Sequence, residues 1–316
     1  MSGFGAAIGG LALAALWAWT REALRARWAF GRRVSLGGAL ALPLRAFGAR
    51  WARVEEPPAG AERRAFIASP WVALWLVTGA LAALPWGRDS QGALVGAGGG
   101  TASVFAVVGL LVLARIASAL ALLSSRASEA LLESRLAASH ACAWGAVLLL
   151  AMASVSIGHA DDLSLRGLID EQRRAGVFGW LVFQHPLSAC ACVLVTLWHP
   201  PELSSSRARR SGLRAGRGAA ALEAASELEA LVIASLIATV FLGGPSQASP
   251  GDLAAFSATV SFIAKVVLVR AGLGLLRALP APSPGRARAL SWRLLLALVS
   301  IELVATGVLG RWSDVG

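Results

Sequence analysis

Apolar residues occur along the chain in long runs, and short polar segments rich in arginine separate these runs. A helix that crosses the hydrocarbon core of a bilayer needs about 20 consecutive apolar residues. The pattern therefore predicts an all-α, polytopic integral membrane protein with about eight transmembrane helices, organised as a single transmembrane domain over residues 1–316. The predicted spans lie near 4–20, 66–86, 104–123, 141–157, 178–198, 222–242, 253–275 and 290–309.

The connections between the predicted spans differ in their arginine content. The first, third, fifth and seventh connections are rich in arginine, the fourth is mixed, and the second and sixth carry few charges. Basic residues concentrate in cytoplasmic loops of membrane proteins. The asymmetry therefore predicts that the odd-numbered connections are cytoplasmic and that both termini lie on the opposite side. No basic residue precedes the run at 4–20, so we interpret it as an uncleaved span and not as a signal peptide.

The first connection contains more than a linker. Apolar and basic residues are interspersed in it, a composition that favours an amphipathic helix lying at the membrane surface. The residues that form this pattern are Leu40, Leu42, Leu44, Phe47 and Trp51, with Arg45, Arg50 and Arg53.

Composition narrows the class further. The chain is 56% hydrophobic and 15% charged, whereas a soluble domain usually has about a quarter charged residues. The net charge of +11 comes from arginines between apolar runs, where they meet anionic lipid headgroups, so we expect no nucleic-acid partner. The three cysteines lie in or beside apolar runs and are interpreted as small core residues. Their spacing fits neither a disulfide framework nor a metal site.

Ionisable residues inside apolar runs are candidates for function, because a charge in hydrocarbon is costly. Lys265 lies in the seventh run, and two hypotheses stay open: a proton relay, or a structural pair with Glu302. Arg115 interrupts the third run, where we favour a structural role, either by snorkelling or by pairing with Glu302. Other acidic residues in or near spans are Glu223, Glu227 and Glu229.

Other candidate motifs are weaker. His140 and His199 are interpreted as interfacial residues, in preference to a pair of haem ligands. The arginines and serines of 204–217 fit contact with anionic lipid or docking of a partner subunit. The glycines of 96–100 lack the context of a phosphate-binding loop, and no triad for nucleophilic catalysis is present in the sequence pattern.

Several short motifs, in the same order along nearly the whole chain, resemble those of one family. They are RVEEPP at 53–58, LPWG at 84–87, RLAA at 135–138, FQHPL at 183–187, FLGG at 241–244, Lys265 with VRA at 269–271, and WRLLL at 292–296. The chain is similar to the eight-span membrane subunit of bacterial NADH–quinone oxidoreductase (respiratory complex I) whose cytoplasmic loops form the quinone chamber. That family is related to membrane subunits of energy-converting hydrogenases.

The resemblance implies a role in the inner membrane of a bacterium, with the N-terminus outside the cytoplasm. It implies one subunit of a proton-translocating oxidoreductase, not catalytic alone, which contributes to a quinone-binding chamber and a proton path. Quinone would be the substrate, no cofactor would be covalently bound, and iron–sulfur clusters would lie only in partner subunits. The implied chamber residues are Arg32, Arg33, Arg53, Glu55 and Arg135, and the implied proton-path residues are Glu202, Glu227 and Lys265.

The chain departs from the family where the family is most acidic. The expected acidic loop between spans five and six reads HPPELSSSRARR at 199–210, and only Glu202 can stand for a family carboxylate. A glutamate expected near Trp144 and an aspartate expected near Ala46 are also missing. Three alternatives therefore stay open: a membrane subunit of a hydrogenase-type complex, a non-pumping structural paralogue, and an unrelated small-molecule transporter.

Overall fold

The computed structural model describes residues 47–53, 57–58, 60–89, 93–96, 101–125, 128–159, 164–198, 216–245, 252–278 and 286–313. Within these ranges the protein is built almost entirely from helices, which confirms the all-α prediction. The helices are α1 (Arg63–Ala83), α2 (Val104–Leu123), α3 (Ser128–His159), α4 (Leu165–Ala175), α5 (Leu181–Gln184), α6 (Pro186–Trp198), α7 (Arg217–Phe241), α8 (Asp252–Ala278) and α9 (Arg286–Ser313).

Five helices in the described part of the chain are long and apolar enough to cross a membrane, and they identify a membrane-embedded protein. They correspond to α1, α2, α3, α7 and α8. The predicted count of eight spans is not confirmed. The predicted span at 4–20 lies outside the described residues, and the span at 290–309 forms α9, which is not among the five.

The predicted span at 178–198 is interrupted. A 3-10 turn at Val177–Gly179 is followed by the four-residue helix α5, and α6 begins only at Pro186. Proline disfavours helical backbone in the residue before it, and His185 is accordingly non-helical, with φ −124° and ψ 61°. The apolar composition of the run predicts one helix, but this proline divides it.

Helix α7 lies at the centre of the bundle, and most of its residues are buried. It packs mainly against α1 and α8, while α2 packs between α1 and α3, and α9 covers α3 and α6. One hydrophobic core runs through these helices and includes Leu111, Trp144, Met152, Phe241 and Phe262. The outer face of α8 exposes large apolar side chains such as Phe256 and Leu268, which suits contact with lipid.

Short polar elements cover the end of the bundle at which α7 finishes. Strands β1 (Gly87–Arg88) and β2 (Leu94–Val95) form an antiparallel hairpin in which Gly87 pairs with Val95. The amphipathic helix α4 starts at Ser164, whose hydroxyl accepts a hydrogen bond from Gly167 N. These elements bring polar side chains to the carbonyl end of α7.

The described part of the predicted amphipathic segment is helical at 47–52 and packs beside the start of α7. Trp51 lies against Trp71 of α1, with ring centroids 5.4 Å apart, and Trp51 O accepts a hydrogen bond from Arg217 Nε at 3.2 Å. Residues 40–46 of the predicted segment lie outside the described residues.

Candidate functional site

Helix α7 carries three glutamates in its first half: Glu223, Glu227 and Glu229. With a rise of 1.5 Å per residue, they extend over about 9 Å of the helix axis. Each of them forms an ion pair with an arginine from a different part of the chain. The pairs are Glu223–Arg50 at 2.8 Å, Glu227–Arg270 at 2.7 Å and Glu229–Arg115 at 2.5 Å. We call these six residues the acidic series of α7.

Burial increases along the acidic series. The side chains of Arg50 and Glu223 are about a quarter exposed, whereas those of the two deeper pairs are less than a tenth exposed. A buried charge is tolerated only when it is paired and hydrogen-bonded. The series therefore leads from a partly accessible pair at the start of α7 to two enclosed pairs in the bundle.

Arg115 has a second partner. Its guanidinium lies 3.8 Å from the ring centroid of Trp144 on α3, in addition to its pair with Glu229. The sequence hypothesis that Arg115 pairs with Glu302 is wrong, because α7 and not α9 supplies its carboxylate. A positive charge thus lies beside Trp144, where the family resemblance leads one to expect a glutamate.

The carbonyl end of α7 forms a second polar cluster. The last carbonyls of a helix have no partner within the helix and must find one elsewhere. Gln172 Nε2 donates to Val240 O at 2.9 Å, and Lys265 Nζ donates to Leu242 O at 2.8 Å and Gly244 O at 2.9 Å. Arg88 Nε donates to Pro245 O at 3.1 Å. Three side chains from α4, α8 and β1 thus satisfy this end of α7.

Lys265 does not pair with Glu302, so the structural-pair hypothesis is wrong. Its ammonium is held by the two carbonyls and lies 4.9 Å from the ring centroid of Trp180. Glu302 instead accepts hydrogen bonds at the start of α6, from Ser188 N at 2.7 Å, from the Ser188 hydroxyl and from Leu187 N at 3.2 Å. No basic residue among those described pairs with Glu302, because the amino end of α6 compensates its charge.

The sequence offered no sign of Arg88 as a site residue. It is almost fully buried, and its Nη2 lies 2.7 Å from Asp170 Oδ1 on α4. Gln172 was not predicted either, although its Oε1 also accepts a hydrogen bond from Leu181 N at 3.2 Å. The only signal in the sequence was a charged or amide group next to an apolar run, which many interfacial residues share.

The predicted site residues are only partly described. Arg53 and Arg135 of the predicted quinone chamber are both exposed, while Arg32, Arg33 and Glu55 lie outside the described residues. Of the predicted proton path, Glu227 belongs to the acidic series, Lys265 lies at the carbonyl end of α7, and Glu202 is not described.

Metal-binding and cysteine predictions can be compared over the same ranges. The described residues hold no group of three or more His, Cys, Asp or Glu side chains that could bind a metal ion. His199, one of the two haem-ligand candidates, is not described. Cys192 is buried as predicted, but Cys142 and Cys190 are exposed on the outer faces of their helices, so the core prediction is wrong for these two.

No protein-family model and no curated protein matches this chain. The similarity to complex I therefore stands on the motifs in the sequence.

Proposed function

We propose that this chain is the membrane subunit of a proton-translocating NADH–quinone oxidoreductase, where it contributes to the quinone chamber and the proton path. Two features support the proposal: the colinear motifs, and the acidic series of α7. The series is the observation that carries it. Ionisable groups enclosed by membrane helices are costly and are therefore functional candidates by default.

The chemistry of the acidic series suits proton transfer in one respect. An arginine keeps its proton in proteins, so any proton that moves along the series must be carried by a glutamate. Glu223 and Glu227 are separated by about 6 Å of helix rise, and Glu227 and Glu229 by about 3 Å. Such separations can be bridged by one or two water molecules. The paired arginines would then hold each glutamate charged until a change in the quinone chamber alters the pairing.

The quinone chamber would lie beside the start of α7. Arg50 and Trp51 bring the segment at 47–53 to this end of the helix, and Arg53 is exposed next to it. In this proposal the partly accessible Glu223–Arg50 pair is the point where the chamber meets the acidic series. Partner subunits with iron–sulfur clusters would dock on the same side and reduce the quinone.

Co-purification tests the proposal. A tagged copy is purified in mild detergent from its native membrane, the recovered proteins are identified, and their iron content and NADH–quinone activity are measured. We expect iron–sulfur subunits in constant ratio to this chain, together with quinone-reducing activity. Recovery of the chain without any iron–sulfur subunit contradicts the proposal.

One observation favours a second candidate, a structural paralogue that anchors the complex without pumping. The loop that is acidic in the family carries arginines here at 207, 209 and 210, which removes most of its titratable carboxylates. Pumping and anchoring differ in the effect of Glu227→Gln on an assembled complex. A structural role predicts normal proton movement per electron, whereas a proton path through Glu227 predicts its loss.

A further inference from the structure

Lys265 occupies an unusual position for a lysine in a membrane helix. It is the single lysine of the chain and lies in the middle of the span formed by α8. Its ammonium donates two hydrogen bonds to backbone carbonyls, those of Leu242 and Gly244. Both acceptors are oxygens that carry no exchangeable proton, so these contacts give Lys265 no group to which it could pass a proton.

The backbone after α7 is shaped to present these carbonyls. Gly243 and Gly244 have φ values of +73° and +52°, a left-handed conformation that favours glycine. The N–H of Gly244 donates to Ala238 O at 3.1 Å, which folds the chain back over the helix end. The turn directs the carbonyls of Leu242 and Gly244 to one point, where the Lys265 ammonium lies.

An aromatic ring forms another wall at the same point. The Trp180 ring centroid is 4.9 Å from Lys265 Nζ. Its indole also packs against Gly243, because a Cβ added at Gly243 would lie 2.8 Å from Trp180 Nε1. Two carbonyls, the negative end of a helix dipole and the face of an indole are each favourable for a cation. We call this arrangement the carbonyl cradle.

We propose that the carbonyl cradle is a binding site for a primary ammonium ion, for which the side chain of Lys265 is the resident ligand. Removal of that side chain opens the cradle to a free primary ammonium ion from solution. The specificity follows from hydrogen bonding, because the cradle satisfies N–H donors as well as positive charge.

The cradle also gives Lys265 a positioning role. Helix α8 carries Arg270, which pairs with Glu227 of α7, and Lys265 holds the same helix to the end of α7. The two contacts together fix α8 along α7. Loss of Lys265 therefore loosens the helix that carries the partner of Glu227. This inference does not depend on the proposed quinone function, since it concerns helix packing and cation chemistry.

The test compares Lys265→Ala with the native protein, both purified as full-length chains in detergent. Thermal unfolding is followed while methylammonium or tetramethylammonium chloride is added at equal ionic strength. We expect Lys265→Ala to unfold several degrees lower than the native protein, and methylammonium to restore much of the difference in a saturable way. Tetramethylammonium, which has the charge but no N–H donor, is expected to restore little.

Lys265→Met is the matched control, because methionine fills the same space without a charge. It should be destabilised and insensitive to both salts. Absence of recovery by methylammonium, or equal recovery by the two cations, overturns the proposal.

A second measurement keeps the proposal testable if Lys265→Ala does not fold. Isotopic labelling with 15N-lysine yields one side-chain signal from the native protein, because the chain has a single lysine. We expect slowly exchanging ammonium protons with a magnetisation transfer to the Trp180 indole. Rapid exchange with no contact to the indole contradicts the cradle.

Discussion

The buried pair of Arg115 and Glu229 provides the sharpest test of the interior electrostatics. Arg115→Met removes the cation but keeps a long apolar side chain in its place. Glu229 is then left less than a tenth exposed with its strongest partner gone, and Arg115 also leaves the face of Trp144. The perturbation thus creates an uncompensated buried charge in the core of the bundle.

The expected loss is large and has two parts. Removing one partner of a buried ion pair costs about 3–5 kcal/mol of unfolding free energy. The lost cation–π contact with Trp144 adds up to about 2 kcal/mol at a desolvated site. In the double variant Arg115→Met with Glu229→Met, both charges are absent, so most of the first term should disappear.

Unfolding in mixed micelles with increasing denaturing detergent measures these free energies for the native chain, both single variants and the double variant. We expect each single variant to be less stable than the double variant, with a coupling energy of a few kcal/mol. If the effects of the two single variants simply add in the double variant, the pair does not exist as described and the reasoning is refuted.

Three further predictions use the same assay. Gly243→Ala should cost about 1–2 kcal/mol for its left-handed backbone, and more from the close approach to Trp180, so native stability would contradict the described turn. Glu302→Ala should destabilise more than Glu302→Gln, because only glutamine keeps an acceptor for Ser188; equal stability of both variants with the native protein would remove the capping role. Arg50→Ala should cost less than about 1 kcal/mol, since its pair is partly exposed, and a loss as large as that of Arg115→Met would contradict the gradient of burial.

The apolar runs were sufficient to predict most of the membrane helices. Residues 104–123 illustrate this, because the predicted span has the same bounds as the observed helix α2. The run at 178–198 failed because hydropathy alone does not register the backbone restriction that Pro186 imposes on His185. Hydropathy reports what can enter a bilayer, and proline chemistry decides where the helix begins.

Choice of ion-pair partner was not predictable from the sequence. Arg115 and Lys265 each had Glu302 as a plausible carboxylate, yet Arg115 pairs with Glu229 and Lys265 with backbone carbonyls. These choices depend on which helices are neighbours, and a single sequence does not determine helix order in a bundle. Two consecutive glycines after an apolar run are a recognisable sign of a helix end, so the turn at Gly243 and Gly244 could have been predicted.

The central claim is that Glu227 lies on a proton path of a quinone-reducing complex. The most direct measurement is proton uptake per electron in vesicles containing the complex purified through this chain, with Glu227→Gln compared with the native protein. Glu62→Gln serves as the control, because Glu62 is an exposed glutamate that precedes α1. We expect an intact complex in which Glu227→Gln abolishes proton uptake while Glu62→Gln retains it. Unchanged proton uptake per electron in Glu227→Gln would contradict the account.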